Sequence, residues 1–148
     1  MINNGIQSYR KINITTADPG ELVLMCYNAA IDQIKIAIKK YQDKDFEGKC
    51  KALQKAQDII DELRCSLDFE KGGEIARNLE SLYNYMARKL ILSDINKNLN
   101  GLNEIVGILE ELKSAWEIVF KKQKTMTQSK TFKHDIENQP QRLNHISA

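Results

Sequence analysis

Histidine is missing from the first 133 residues of this 148-residue chain, and its two copies, His134 and His145, both fall near the end. Di-iron bundles use inward Glu-x-x-His pairs, phosphotransfer bundles need a helix-borne histidine, and haem bundles usually ligate iron through one. None of these can be built from the body of the chain, and no cofactor or metal is expected. Proline is nearly as scarce: none lies between Pro19 and Pro140, which frees a long stretch from the strongest helix breaker. Neither GxxxxGK[ST] nor GxGxxG occurs, so no phosphate loop is in place. Cysteine is limited to Cys26, Cys50 and Cys65. They are odd in number, lack CxxC spacing and sit inside apolar helical patterns, which predicts buried thiols in a reducing compartment. A cysteine nucleophile normally needs a partner base, and without a body histidine only lysine activation remains open.

Long apolar runs are also lacking. No stretch approaches the ~18 uninterrupted apolar residues of a membrane helix, and the opening "MINNGIQSYRKINITT" has no signal-peptide core. The expected address is the cytosol, without membrane insertion. Charge of one sign is missing from the body as well: residues 1–120 carry 16 Lys/Arg against 18 Asp/Glu, while the remainder supplies a net +4. A slightly acidic body lacks the basic face of a phosphate-neutralising protein, so nucleic acid is not an expected partner. Carboxylate pairs such as Glu110-Glu111 and Asp61-Glu62 fall among polar helix positions and read as solvated faces.

What is present is helix. In "TADPGEL", Asp18 stands as N-cap, Pro19 as first helical residue and Glu21 at the capping-box position. Four helices are predicted, near 19–41, 46–68, 72–95 and 99–122. "QDKDF" supplies the first break, Gly72-Gly73 reads as the second interhelical turn, and "SDINKN" supplies the third. The second helix carries a stripe of Phe46, Cys50, Leu53, Gln57, Ile60 and Leu67. The third carries Ile75, Leu79, Leu82, Met86 and Leu90, and the fourth Leu102, Ile105, Leu109, Leu112, Trp116 and Val119. Short polar connections favour an all-α fold, an antiparallel four-helix bundle over residues 18–122. Residues 1–17 form an N-terminal cap segment, and the polar residues 123–148 are expected to be a flexible tail.

The helices carry more apolar surface than one stripe needs. Val106, Ile108, Ala115, Ile118 and Phe120 widen the fourth, and Val23, Leu24, Tyr27 and Ile31 widen the first. Either each helix touches two neighbours, or some of this surface is left exposed to bind amphipathic helices of another protein. Tyr83 and Tyr85 lie almost opposite on a helix, so one of them must meet solvent or partner.

Several segments resemble one family. "TADPGELVLMCYNAAI" (16–31) is similar to the first-helix signature of the FliS flagellin chaperones, with Tyr27 at the family aromatic, although Cys26, Asn28 and Ala29 stand where relatives often have Leu, Asp and Gly. "KAQDIIDELRCSLDFEKGGEIARNLESLYNYMARKL" (55–90) is closer still. "EELKSAW" ends on a fourth-helix tryptophan, Trp116, and "GIQSY" resembles an N-terminal Gly-Ile-x-x-Tyr element. The similarity spans roughly residues 5 to 120. It implies a cytosolic export chaperone, not an enzyme, which holds the C-terminal segment of flagellin, prevents premature polymerisation and hands its client to the flagellar export apparatus. Two alternatives stand beside it: a helical adaptor for another secretion substrate or regulator, and an unrecognised enzyme using cysteine or carboxylates. The candidate partner-binding residues are Ile6, Tyr9, Leu24, Tyr27, Tyr83, Met86 and Trp116, with core packing as the competing role for Tyr83, Met86 and Trp116. Ile6 and Tyr9, three apart in a polar segment, either form a removable lid over the apolar groove, or are permanently docked core residues or disordered. Assembly as a homodimer is left open.

Overall fold

A computed structural model describes the backbone of residues 19–138, with side chains described for 20–130. Four helices follow one another: α1 (Pro19–Gln42), α2 (Phe46–Cys65), α3 (Phe69–Ile95) and α4 (Leu99–Asn138). No strand occurs among the described residues. The chain divides into two compact units, residues 1–113 and 114–148. The first holds the antiparallel four-helix bundle. Lys35 reaches Glu110 between α1 and α4 at 3.6 Å, Arg64 donates to Asn84 between α2 and α3 at 3.0 Å, and Tyr85 donates to Glu104 between α3 and α4 at 3.1 Å.

The core forms where helical periodicity brings small and branched residues to one face. α1 buries Tyr27, Ala30, Ile31, Ile34 and Ala37; α2 buries Ala52, Leu53, Ala56, Ile59, Ile60 and Leu63. α3 adds Ala76, Tyr83, Met86, Ala87 and Leu90, and α4 adds Leu102, Ile105, Val106 and Leu109. The alanines keep helix axes close, while the branched side chains fill the space between them.

Two connections share one chemistry. After α1, Lys44 takes a left-handed conformation (φ 62), and after α3, Lys97 does the same (φ 53). In each case the left-handed residue donates three back, Lys44 to the Tyr41 carbonyl and Lys97 to that of Asp94. The next residue donates five back, Asp45 to Lys40 and Asn98 to Ser93, both at 2.8 Å. These are Schellman closures, and they satisfy carbonyls that the helix end would leave orphaned. The residue that completes each closure also caps the following helix. Asp45 accepts from the Gly48 amide at 2.9 Å, and Asn98 accepts from that of Gly101 at 3.0 Å. The Gly48 amide, followed by Lys40, holds the Asp45 carboxyl below the ordinary carboxylate range. Lys49 at the start of α2 pairs with Asp94 near the end of α3 at 2.5 Å, which places both closures at the same end of the bundle. That hydrogen bond to Asp94 raises the Lys49 pKa despite partial burial.

Four expectations need correction. The second turn is Ser66–Asp68, where Asp68 accepts from the Lys71 amide at 3.0 Å and so starts α3 three residues before Gly72. The glycine pair lies inside α3, and Gly73, at φ 51 and ψ −123, kinks it, a conformation open to glycine and costly for other residues. The α2 and α3 stripes hold only in part: Leu53, Ile60, Met86 and Leu90 are buried, but Phe46 and Ile75 are exposed, at 53% and 68%, because the alanines that complete the core face carry too little bulk to stand out in the pattern. For the same reason the cysteines are not buried: Cys50 and Cys65 are exposed and Cys26 is half-buried. Finally, α4 does not stop near 122 but continues to Asn138. The polar composition of that stretch opposes burial, not helicity. No glycine or proline intervenes before Pro140, and the Thr125 and Thr127 hydroxyls fold back onto the Lys121 and Gln123 carbonyls at 3.0 and 2.9 Å.

Candidate docking surface

The last three turns of α3 present apolar side chains outward. Ile91, Leu92 and Ile95 are 55%, 50% and 69% exposed, and Tyr85 is 44% exposed. Tyr85, Leu92 and Ile95 stand at i, i+7 and i+10 and share one face, with Ile91 beside them. The opposite face carries Tyr83, Met86 and Leu90 into the core, so α3 has two apolar stripes and only one is covered by the described residues. A pocket of about 230 Å³ opens on the uncovered side, lined by Tyr85, Arg88, Lys89, Leu92, Ser93, Asn96 and Asn98.

Its rim is held by a three-way contact. Lys89 pairs with Glu104 at 2.5 Å and donates to the Tyr85 hydroxyl at 3.2 Å, while that hydroxyl donates to Glu104. Hydrogen bonding to Glu104 and then Tyr85 raises the Lys89 pKa, and the bond from Lys89 lowers that of Glu104. The ammonium also lies 5.5 Å from the Tyr85 ring centroid, within cation–π range. Together these contacts fix the ring as one wall of the pocket. The floor is shaped by a close approach: Gly101 of α4 faces Ser93 of α3, and a Cβ at position 101 would stand 2.2 Å from the Ser93 Oγ. Glycine here sets how near α4 comes to the pocket.

The residues singled out from sequence fall in different places. Ile6 and Tyr9 lie outside the described residues. Leu24 is half-buried on α1. Tyr27, Tyr83 and Met86 are buried inside the bundle, at 0%, 2% and 0% exposure. Tyr27 and Tyr83 are brought together, their rings 6.5 Å apart and their hydroxyls hydrogen-bonded to each other. With Tyr83 inside, Tyr85 is the tyrosine that meets solvent, as their spacing requires. Trp116, in the second unit, is half-buried and stacked on Phe120 at 5.3 Å. Ile91, Leu92 and Ile95 are the surface residues that sequence reasoning misses. Their signal was a second apolar stripe beside Met86 and Leu90.

Among the described residues no group of three His, Cys, Asp or Glu side chains could hold a metal ion, and no helix is long and apolar enough to cross a membrane. An apolar row beside a shallow pocket with a fixed polar rim can accept apolar side chains of a helical or extended segment. Fold and surface together define a helical interaction module.

The comparisons with known proteins give that module its family. The family model described as "Flagellar protein FliS" matches residues 1–123. The flagellar secretion chaperone FliS of Bacillus subtilis is 34% identical over 116 residues, covering 78% of this chain and 86% of the relative. That of Salmonella typhimurium is 34% identical over 119 residues, with 77% and 88% covered, and that of Campylobacter jejuni is 28% identical over 120 residues, with 79% and 91% covered. The chain belongs to the FliS family of flagellar secretion chaperones. It is a chaperone and not an enzyme.

Proposed function

We propose that this protein binds the C-terminal region of flagellin in the cytosol, keeps it from polymerising prematurely and delivers it to the flagellar export apparatus. Family membership over residues 1–123 carries the reading, and the uncovered apolar row of α3 supports it. A flagellin segment that folds against Tyr85, Leu92 and Ile95 would bury surface now half exposed, and a client region so covered could not pair with another flagellin. Burial of this kind gives a large negative heat-capacity change with modest salt dependence. Residues 1–17 would act as a removable lid, with Ile6 and Tyr9 shielding the row until a client displaces them. Their burial stabilises by only a few kcal/mol before ordering entropy is subtracted, so a larger ligand can compete.

The test is calorimetry with a peptide from the C-terminal region of flagellin of the same organism. Micromolar or tighter binding with a negative heat-capacity change is expected. No binding at micromolar concentrations would overturn the assignment of client and leave an adaptor for another secretion substrate as the better reading.

A further inference from the structure

The second unit carries a feature that lies apart from the apolar row of α3. Between Glu117 and Asp135 there is no acidic residue and no arginine, but five lysines: Lys121, Lys122, Lys124, Lys130 and Lys133. Three of them lie past residue 123, the last that the family model matches. The whole run sits on the continuous helix α4. Ile118, Lys122, Met126 and Lys130 recur at every fourth position, and Val119 precedes Met126 by seven, so all five share one side of the helix. Ile118, Val119 and Met126 are 58%, 41% and 63% exposed, and Lys122 and Lys130 are exposed beside them.

We propose that this face of α4 binds the surface of an anionic lipid bilayer, as a peripheral contact with the helix lying along the headgroups. Charge complementarity and the interleaving of residue types identify the occupant. Lysine stems lie along apolar surface while their ammonium groups reach outward, so lysines and apolar side chains on one face can serve a bilayer together: isoleucine, valine and methionine enter the acyl boundary and the lysines meet lipid phosphates. A nucleic acid would engage the same cations but offers nothing to the apolar side chains between them, and arginine, the residue suited to bidentate phosphate contacts, is absent from the run. Among the described residues Lys121, Lys122 and Lys130 have no acidic partner that would neutralise them.

Vesicle co-sedimentation of the full-length chain tests this. Binding is expected to phosphatidylcholine vesicles containing about a third phosphatidylglycerol, weakening as salt is raised, and not to phosphatidylcholine alone. The triple variant K121Q/K122Q/K130Q should lose roughly a hundredfold in partitioning, while K121R/K122R/K130R, which keeps the charge, should bind as the parent does. M126S should weaken binding but retain its salt dependence. Equal binding to both vesicle types, wild-type binding by the glutamine variant, or binding to RNA without binding to anionic vesicles would each overturn the proposal. None of these outcomes depends on flagellin.

Discussion

The approach of Gly101 to Ser93 gives a stability test in which two opposing effects can be weighed. Replacing Gly101 with alanine adds a methyl carbon 2.2 Å from the Ser93 Oγ, 3.1 Å from the Asn98 Nδ2 and 3.2 Å from the Ser93 Cβ. Three atoms on two sides leave little room to yield, and the side chain of Ser93 is itself buried, at 4% exposure. Overpacking of this kind costs about 1–3 kcal/mol. Alanine returns up to about 1 kcal/mol through better helix propensity, so the net expectation is a loss of about 1–2 kcal/mol. Gly107 is the control: it lies on the same helix, and a Cβ there meets nothing within 4 Å. Gly107→Ala should therefore stabilise by about 0.5–1 kcal/mol. Urea unfolding followed by circular dichroism reads both changes, and adding Ser93→Ala to Gly101→Ala should recover most of the loss by removing the nearest atom. The reasoning is refuted if Gly101→Ala is as stable as the parent, or if Ser93→Ala brings no recovery.

Leu92→Ser and Ile95→Ser should each weaken client binding roughly fivefold, since half of Leu92 and two thirds of Ile95 are left to bury, while thermal stability stays within a degree or two; calorimetry and melting curves separate the two effects. Asp45→Asn should retain a capping oxygen yet flatten the acid limb of the stability curve. The Asp45 pKa is depressed in the folded chain, so its contribution is complete above the unfolded carboxylate value and disappears as pH falls through the folded one. Unfolding measured from neutral to acid pH reads the difference, and an unchanged curve would contradict the capping role. Deleting residues 1–15 should leave a folded bundle that self-associates more and binds client at least as tightly; lost binding with the fold intact would make the segment part of the binding site instead of a lid.

Helix ends were legible wherever cap chemistry marked them: Pro19 opens α1, and "QDKDF" and "SDINKN" each hold the left-handed lysine and the capping residue of a closure. The rotation of each helix was less legible, because pattern reading weights bulk. Cys50 and Phe46 drew the α2 stripe away from Ala52 and Ala56, whose lack of bulk is what suits them to a close interface. Gly72 and Gly73 pointed to backbone freedom, but not to whether it served a turn or a kink; Asp68, four residues before Gly72, decided that. At the surface, Ile91, Leu92 and Ile95 merged in sequence with the core residues Met86 and Leu90, and only the three-dimensional arrangement separates the covered stripe from the open one. Polarity after residue 122 suggests loss of structure, whereas solvated lysines and glutamines are compatible with a helix.

The paired closures at one end of the bundle bear on the order of folding. Each joins two antiparallel helices through three residues, α1 to α2 and α3 to α4, so either hairpin can close at small entropic cost before the other exists. The only covalent path between the hairpins is the Ser66–Asp68 turn, followed at once by the bend at Gly73. Docking of two preformed hairpins is therefore the expected late event. Asp45→Ala, which removes the cap in the first hairpin's connection, should slow folding, whereas loss of the Tyr27–Tyr83 hydroxyl contact, which spans both hairpins, should chiefly speed unfolding.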